Sequence, residues 1–402
     1  KYRLKKNLKI AIYSGNIPST SFIERLIDGV SQYHEVYLFG MQGQKVTYSS
    51  KSIKVFGTPI SKFKSVGVTA IRMLLLLFKN PNQLFQLFRE VKSESSRYGQ
   101  FMLFSRCVPI LLHRPDILHL QWAKDLPKYA FLKTRFHIPL VVSFRGAHIN
   151  YTPIVELDFA ERYKETFPLV DAFHGVSKAI ISKASQYGDI ASRSKVIYSP
   201  IPQFFFNAFE TYKKSKSKTI QLVSVGRNHW KKGYQYAIDA LYDLKQKGYN
   251  VHYTLIGPFA QTEALLFQIH QLELQDEITF AGQLSQNQLS MALKNQDILL
   301  LPSLGEGIAN VVLEAMSIGL PVISTDCGGM AEVVKNNETG WLIPMRSSVA
   351  IVDALIDFDN TSTAQLQSIT HNAFNLIKKE FDYNANISKF NRLYNSVIKN
   401  NC

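Results

Sequence analysis

Short apolar runs alternate with longer stretches in which apolar residues recur every three or four positions, and this alternation happens twice along the chain. In the first half the runs lie at 9–14, 36–39, 53–56, 117–121, 140–144, 172–176 and 195–198. In the second half they lie at 220–225, 252–256, 278–281, 298–301 and 322–324. Each has the length of a strand, and runs as continuously apolar as 298–301 are expected where a parallel sheet is covered on both faces. With helices filling the gaps, the alternation predicts an α/β chain with two doubly wound parallel sheets. Thr211–Thr219 is polar, charged and without periodicity, so it reads as the connection between halves. The expected division is residues 1–207, a linker at 208–218, a second domain at 219–380, and a terminal segment at 381–402. That last segment is an amphipathic helix, 384–399, with Ile387, Phe390, Leu393, Tyr394 and Val397 on its apolar side. No short internal repeat or low-complexity tract interrupts the pattern.

The run 298–301 is closed by Pro302, and Ser303-Leu-Gly-Glu-Gly307 follows as flexible backbone. Apolar residues at helical spacing then run from Ile308 to Ile318 until Gly319-Leu-Pro321 ends them. A strand, a loop and a helix in that order predict a pocket at the strand's carboxyl end. Glu306 stands just before the helix and Glu314 two turns into it, with backbone N–H groups from Gly307, Ile308 and Ala309 between them. One carboxylate can accept from two neighbouring hydroxyls while a helix amino end offers donors and a positive dipole, which suits a sugar and a phosphate. The plain alternative is a strand-turn-helix in which Glu306 caps the helix and Glu314 is solvated on its outer face.

A second group lies in Val223-Ser-Val-Gly-Arg-Asn-His-Trp-Lys-Lys-Gly233, where a strand ends at Gly226 and a helix starts after Gly233. Arg227 and Lys232 would project near the strand end, with Lys231 a possible substitute for its neighbour. Fixed cations there would stabilise an anionic leaving group; a solvated basic loop is the alternative. Gly257, after the next strand, marks a further turn at the same sheet edge. In the first half, Gly15-Asn-Ile-Pro-Ser-Thr-Ser-Phe22 follows the first strand and precedes a helix, so its backbone could approach a phosphate or an acceptor.

The stretch Pro302-Ser-Leu-Gly-Glu-Gly-Ile-Ala-Asn-Val-Val-Leu-Glu-Ala-Met316, continuing at Gly319-Leu-Pro-Val-Ile-Ser-Thr-Asp-Cys-Gly-Gly-Met-Ala-Glu332, closely resembles the signature of a large bacterial glycosyltransferase family. This is the retaining, family 4 type with the GT-B fold, found in polysaccharide and glycolipid assembly. The resemblance implies two Rossmann-like domains with an interdomain cleft. The first would bind the acceptor, the second a nucleotide diphosphate sugar, and the last helix would cross back to the first domain. It also implies roles. Arg227 and Lys232 would hold the donor diphosphate and, with Glu306 orienting the sugar, form the catalytic set. Glu314 would hold the ribose, and Gly226, Gly257, Gly307, Ile308 and Ala309 would line the donor site. Gly15 and Ser21 occupy a loop that some polysaccharide enzymes of the family end in threonine-phenylalanine. In Val141-Val-Ser-Phe-Arg-Gly-Ala-His148 the family pattern histidine-glycine-any-aspartate is altered, with Arg145 and His148 at its two ends. A contact from Arg145 to sugar or phosphate is therefore expected without catalytic equivalence, while His148 reads equally as a contact to sugar or acceptor or as a satisfied loop residue. His119, on an apolar strand, reads as structural, and Ser177 as a helix cap.

Composition narrows the rest. A chain of 402 residues with 46% hydrophobic and 19% charged residues can bury two cores. Cys107, Cys327 and Cys402 are too few and too scattered for a disulfide or zinc framework. The basic start, Lys1–Lys6, precedes an apolar run too short for a signal peptide, so a cytoplasmic protein is expected. The net charge of +15 is uneven: residues 1–114 hold 18 Lys and Arg against 5 Asp and Glu. Ser61–Val108 interleaves basic residues with Met73-Leu-Leu-Leu-Leu-Phe78, Leu84-Phe85 and Leu87-Phe88, which predicts two or three basic amphipathic helices. Two readings stand: docking at the inner face of an anionic membrane, or apolar residues in the core with a solvated basic rim. No nucleic-acid module accompanies the charge, so nucleic acid is not an expected partner. Asp357-Phe-Asp359 lies late in a predicted helix and reads as a solvated acidic face rather than a metal site.

The implied reaction is metal-independent transfer of a sugar, without further cofactor, to a hydroxyl of a glycan or lipid-linked acceptor. Two rivals remain: a nucleotide-sugar epimerase or hydrolase on the same fold, and a catalytically lapsed membrane-associated subunit. The base, the sugar and the acceptor depend on pocket shape that no motif encodes.

Overall fold

A computed structural model describes residues 7–259 and 263–401; the basic start at 1–6 and Cys402 lie outside them. The chain forms two compact units. One gathers the chain up to Val176, Ile180–Pro200 and the segment from Asn384 onward, and the other takes Ser177–Ala179 and Ile201–Tyr383. The stretch 208–218, expected to link the halves, is counted in the second unit. Within it Tyr212 is buried in that unit's core, and the Tyr212 carbonyl accepts from Gln367 Nε2 at 3.1 Å.

The first unit is built on eight strands: β1 (Lys9–Ile17), β2 (Glu35–Gln42), β3 (Ile53–Val55), β4 (Thr58–Pro59), β5 (Ile117–Leu120), β6 (Leu140–Phe144), β7 (Ala172–Gly175) and β8 (Ser194–Val196). They lie in the order β3-β2-β1-β5-β6-β7-β8, with β4 beside β2, and every pairing is parallel. The second unit has β9 (Thr219–Val225), β10 (Asn250–Ile256), β11 (Ile278–Gly282), β12 (Ile298–Leu301), β13 (Val322–Thr325) and β14 (Trp341–Ile343), in the order β11-β10-β9-β12-β13-β14, again all parallel. All residues of β5, β6, β12 and β13 are buried, as their unbroken apolar runs demand. The strand order reverses between β1 and β5 in one sheet and between β9 and β12 in the other. At such points successive connections leave in opposite directions and open a crevice at the carboxyl ends.

The predicted strands are present, with ends shifted by a few residues. β4 and β14, at two and three residues, are too short to leave a periodic signal and were not expected. The larger correction concerns Gly15. It is not in a loop after the first strand: the β1–β2 register shifts between Tyr13 and Asn16, and β1 continues to Ile17. Gly15 takes φ +85° within this irregularity, a conformation that costs glycine little and lets the strand resume.

The first helix, α1 (Ser21–Ser31), touches the terminal helix Tyr383–Asn401 so closely that a Cβ on Gly29 would stand 2.3 Å from Ile387 Cδ1. Ile387, Phe390, Leu393, Tyr394 and Val397 of that helix are all buried, as their spacing predicts. Its Tyr394 hydroxyl opens a buried hydrogen-bond chain, each link 2.8 Å, that passes to His119, Ser143, His174 and the Ile197 carbonyl. Burial pulls His119 well below the ordinary imidazole value and His174 to about 3, so both rings are neutral and structural. Between β4 and β5 come α2 (Lys62–Lys79), α3 (Pro81–Glu90) and α4 (Arg97–His113), the basic helices expected here. Asn80 caps α3 by accepting from Gln83 N at 3.2 Å, with Pro81 at its first position.

Candidate functional site

The carboxyl ends of β9, β10 and β12 bring together segments far apart in sequence. Gly226 N donates to the Ile256 carbonyl at 2.8 Å, and a Cβ on Gly257 would lie 2.2 Å from the Gly226 carbonyl oxygen, so the turns after β9 and β10 touch through backbone. Gly233 takes φ +66° and packs against the end of β12, where a Cβ would meet the Pro302 carbonyl oxygen at 2.1 Å. Leu304 N donates to the Lys231 carbonyl at 2.6 Å, which ties the basic loop to the glutamate loop.

At this junction Lys232 Nζ lies 2.8 Å from Glu306 Oε1, and the side chains are only 14% and 13% exposed. Ser303 Oγ donates to the same carboxylate oxygen at 3.1 Å. Burial works against the charged carboxylate, but Lys232 and Lys231 and the hydrogen bonds from Lys232 and Ser303 outweigh it and hold Glu306 below its usual range. Burial pulls Lys231 below the ordinary ammonium value; Glu306 opposes this, while Lys232 and Arg227 add to it. Arg227 is exposed and forms no ion pair among the described residues. A Lys ammonium has three N–H donors, so Lys232 can hold Glu306 and still present donors to an anion.

Glu306 is thus more than a capping carboxylate: it forms the centre of an ion pair. The helix it precedes begins at Asn310 rather than Ile308 and ends at Ile318, with Ala309 as its cap residue. Glu314, on that helix, is 6% exposed, which removes the solvated outer face as an account of it. Ala309 N donates to Met330 Sδ at 3.4 Å, a weak bond that occupies one of the amides expected to face a ligand. Gly307 supplies its carbonyl to Gly329 N at 2.7 Å, and a Cβ on Gly328, at φ +61°, would come within 1.9 Å of the Glu306 carbonyl oxygen. The loop after β13 thus supports the glutamate loop from behind. Burial pushes the nearby Cys327 thiol up to about 11, so it stays protonated and supplies no nucleophile.

Two members of this site escaped the sequence reading. Tyr234 follows Gly233 directly; its buried hydroxyl has no hydrogen-bond partner among the described residues. A Cβ on Gly226 would stand 2.9 Å from both that hydroxyl and Lys232 Cε, so the tyrosine and the lysine share one wall. Ser303 reads in the sequence only as part of a flexible loop. A tyrosine next to a lysine-glycine pair at a helix start is the one signal that would have marked Tyr234.

The first unit has its own cluster at its switch point. Arg145, after β6, donates from Nη2 to Gln121 Oε1 at 2.7 Å and lies 4.8 Å from the centre of the Phe22 ring. Burial pulls its guanidinium below the ordinary value, and both Arg145 Nε and Gln121 Nε2 lack partners among the described residues. The His148 ring stands edge-on to Trp122 at 5.5 Å, and Trp122 Nε1 donates to the Ser14 carbonyl at 2.9 Å. Gly15, Arg145 and His148 are therefore neighbours of one aromatic patch. Ser21 opens α1, one residue before Phe22, and makes no cap of its own; the cap position is Thr20. Asp357 Oδ2 accepts from Trp341 Nε1 at 2.6 Å near the end of the helix Ser348–Asn360, a structural contact.

The family profile described as Glycosyl transferases group 1 matches residues 207–374, which span this junction. The chain is 27% identical over 257 residues to WcaL of Escherichia coli (strain K12), named as a colanic acid biosynthesis glycosyltransferase, covering 62% of this chain and 61% of that protein. It is 31% identical over 223 residues to the amylovoran biosynthesis glycosyltransferase AmsK of Erwinia amylovora, covering 54% of each. The matches thus span less than two thirds of either relative. In three dimensions it resembles Anabaena HepE, crystallised with UDP and glucose, at a TM-score of 0.69 and 19% identity, covering 96% of this chain and 99% of that one. Residues 207–374 thus match the group 1 glycosyl transferase family, and the chain as a whole has the GT-B fold.

Proposed function

We propose that this protein is a retaining glycosyltransferase that moves a sugar from a nucleoside diphosphate sugar to a hydroxyl of a glycan or lipid-linked acceptor in cell-surface polysaccharide assembly. The observation that carries this reading is the Lys232–Glu306 pair at the carboxyl ends of β9 and β12, with Arg227 and Lys231 beside it. In the reaction the bond from the anomeric carbon to the diphosphate oxygen breaks, and its electrons leave with the diphosphate. The acceptor oxygen bonds to the same face of that carbon, and its proton passes to the departing phosphate oxygen. Lys232 and Arg227 offset the charge that grows on the leaving group, and a fixed cation in a largely buried setting does so with little reorganisation. Glu306 holds Lys232 in place and turns its other lone pairs to the hydroxyls of the donor sugar. Glu314 receives the ribose hydroxyls, and the unpartnered Tyr234 hydroxyl donates to a phosphate oxygen. The cations on these loops supply the charge that a metal ion would otherwise bring. HepE was solved with UDP and glucose, which makes a uridine diphosphate sugar the first donor to try.

The test is thermal denaturation with a panel of nucleoside diphosphate sugars in EDTA, on the wild type, Lys232→Ala and Glu314→Ala. A donor at a hundred times its dissociation constant adds about 2.7 kcal/mol, a plain upward shift in melting temperature. The expected result is a shift with one nucleotide base that both variants weaken. Silence across the whole panel, with and without magnesium, would turn the reading toward an assembly subunit that has lost its donor.

A further inference from the structure

The helix α2 is packed inside out. Its buried residues are Ser65, Thr69 and Leu76, half-buried Arg72 donates to the Gly57 carbonyl at 3.1 Å, and half-buried Met73 and Leu77 pack on the core, so the inward side mixes polar and apolar groups. The outward side carries Phe63, Val66, Ile71, Leu74, Leu75 and Phe78, at 93%, 55%, 61%, 49%, 52% and 86% exposure. These positions recur at helical spacing and form one apolar stripe of about 22 Å at 1.5 Å per residue. An ordinary surface helix turns such a stripe to the core, and a soluble monomer seldom leaves one this continuous to water. The core-and-rim reading holds for Leu76, Leu84 and Leu87 of this segment, which are buried in the core, but not for the exposed stripe of α2.

The charges say what covers it. α2 contains no Asp or Glu, and exposed Lys62 and Lys64 stand at its start and Lys79 at its end. Glu90 and Glu94, the acidic residues of the following stretch, are paired with Arg135 at 3.0 Å and Lys128 at 3.5 Å. A second copy meeting this face about a two-fold axis would bring lysine-bearing ends together, which like charges oppose. The stripe also offers no hydrogen-bonding side chain, whereas protein interfaces carry roughly one hydrogen bond per 100–200 Å². No helix of the described residues is long and apolar enough to cross a membrane. We infer that α2 lies flat in the surface of an anionic bilayer, with Phe63 and Phe78 among the acyl chains and Lys62, Lys64 and Lys79 at the headgroups.

The experiment is flotation of the full chain with phosphatidylcholine vesicles, with and without 30 mol% phosphatidylglycerol, together with light scattering in their absence. The readout is vesicle capture, so it is independent of the donor chemistry. The wild type is expected to float with anionic vesicles and at least tenfold less with neutral ones. Phe63→Ser with Phe78→Ser should lower capture at least tenfold, and Lys62→Gln with Lys64→Gln by about fivefold per charge. All four side chains are exposed, so the melting temperature should hold in both variants. Absence of flotation with anionic vesicles at low salt, equal capture on neutral ones, or a dimer that the phenylalanine variant splits would each overturn the proposal.

Discussion

Lys232→Ala should lower turnover about 10²- to 10³-fold while leaving a folded protein. The magnitude is that of removing one preorganised charged donor from a developing anion. The lysine also does a structural task, and the two can be separated. Without it Glu306, with a side chain 13% exposed, keeps Ser303 and the more distant Lys231 but loses its close cation. Breaking such a pair from one side costs about 2 kcal/mol, less than a fully buried pair because Lys231 and solvent remain in reach. The sign with pH follows from the direction of the shift. Glu306 is held below its usual value in the folded state, so the pair contributes fully above the unfolded carboxyl value of about 4.3 and is lost as pH falls through the folded value. The stability gap between wild type and Lys232→Ala should therefore be widest near neutrality and close in acid. Equilibrium denaturation at several pH values measures this, and a gap that persisted unchanged at pH 3 would count against the ion pair. Assay of donor hydrolysis or transfer measures the catalytic part; a Lys232→Ala enzyme as fast as wild type would remove the lysine from the mechanism.

Gly328→Ala should be the most damaging single methyl group in the second unit. The residue sits at φ +61°, where an L side chain costs roughly 1–2 kcal/mol, and its Cβ would lie 1.9 Å from the Glu306 carbonyl oxygen. Neither loop can yield cheaply. Gly329 N is bonded to the Gly307 carbonyl on one side, and Leu304 N to the Lys231 carbonyl on the other. A total of about 3 kcal/mol is expected, roughly 6–12 °C in melting temperature for a unit of this size. Donor affinity should fall as well, because relief of the clash moves Glu306. Gly305→Ala is the control: its Cβ would meet nothing within 4 Å, so it should be nearly neutral though it lies one residue from Glu306. If both variants melted alike, the contact between the two loops would not be the cause.

Much of the second unit was readable along the chain. Continuously apolar runs such as 298–301 identify buried parallel strands, and the glycine, proline and glutamate positions after them locate a strand-loop-helix with the right chemistry. Glu306 and Lys232 were each legible as candidates from their own segments. Their pairing across 74 positions was not, since it depends on β9 and β12 being neighbours in the sheet. The Tyr234 hydroxyl was missed because its importance lies in having no partner, a property of the packed surroundings. Ala309 failed differently: its amide was expected to face a ligand, and Met330, brought up by the turn after β13, takes it. Gly15 was read as a loop residue because a bulge that lets a strand resume looks, in one dimension, like the end of that strand.

The amphipathic helices at 62–113 divide the two kinds of information most clearly. Residue spacing is enough to give α2 a stripe, since period and side-chain chemistry are local properties of the chain. Which side of the stripe meets the core is not local. Ser65 and Thr69 face inward because α2 must seat on its neighbours in the position their connections permit, and the sum of those contacts outweighs the exposure of two phenylalanines. Local interactions thus specify the elements and their candidate chemistry, while the partners, the orphaned hydroxyl and the outward stripe arise from free energies shared among segments that the chain brings together only when it folds.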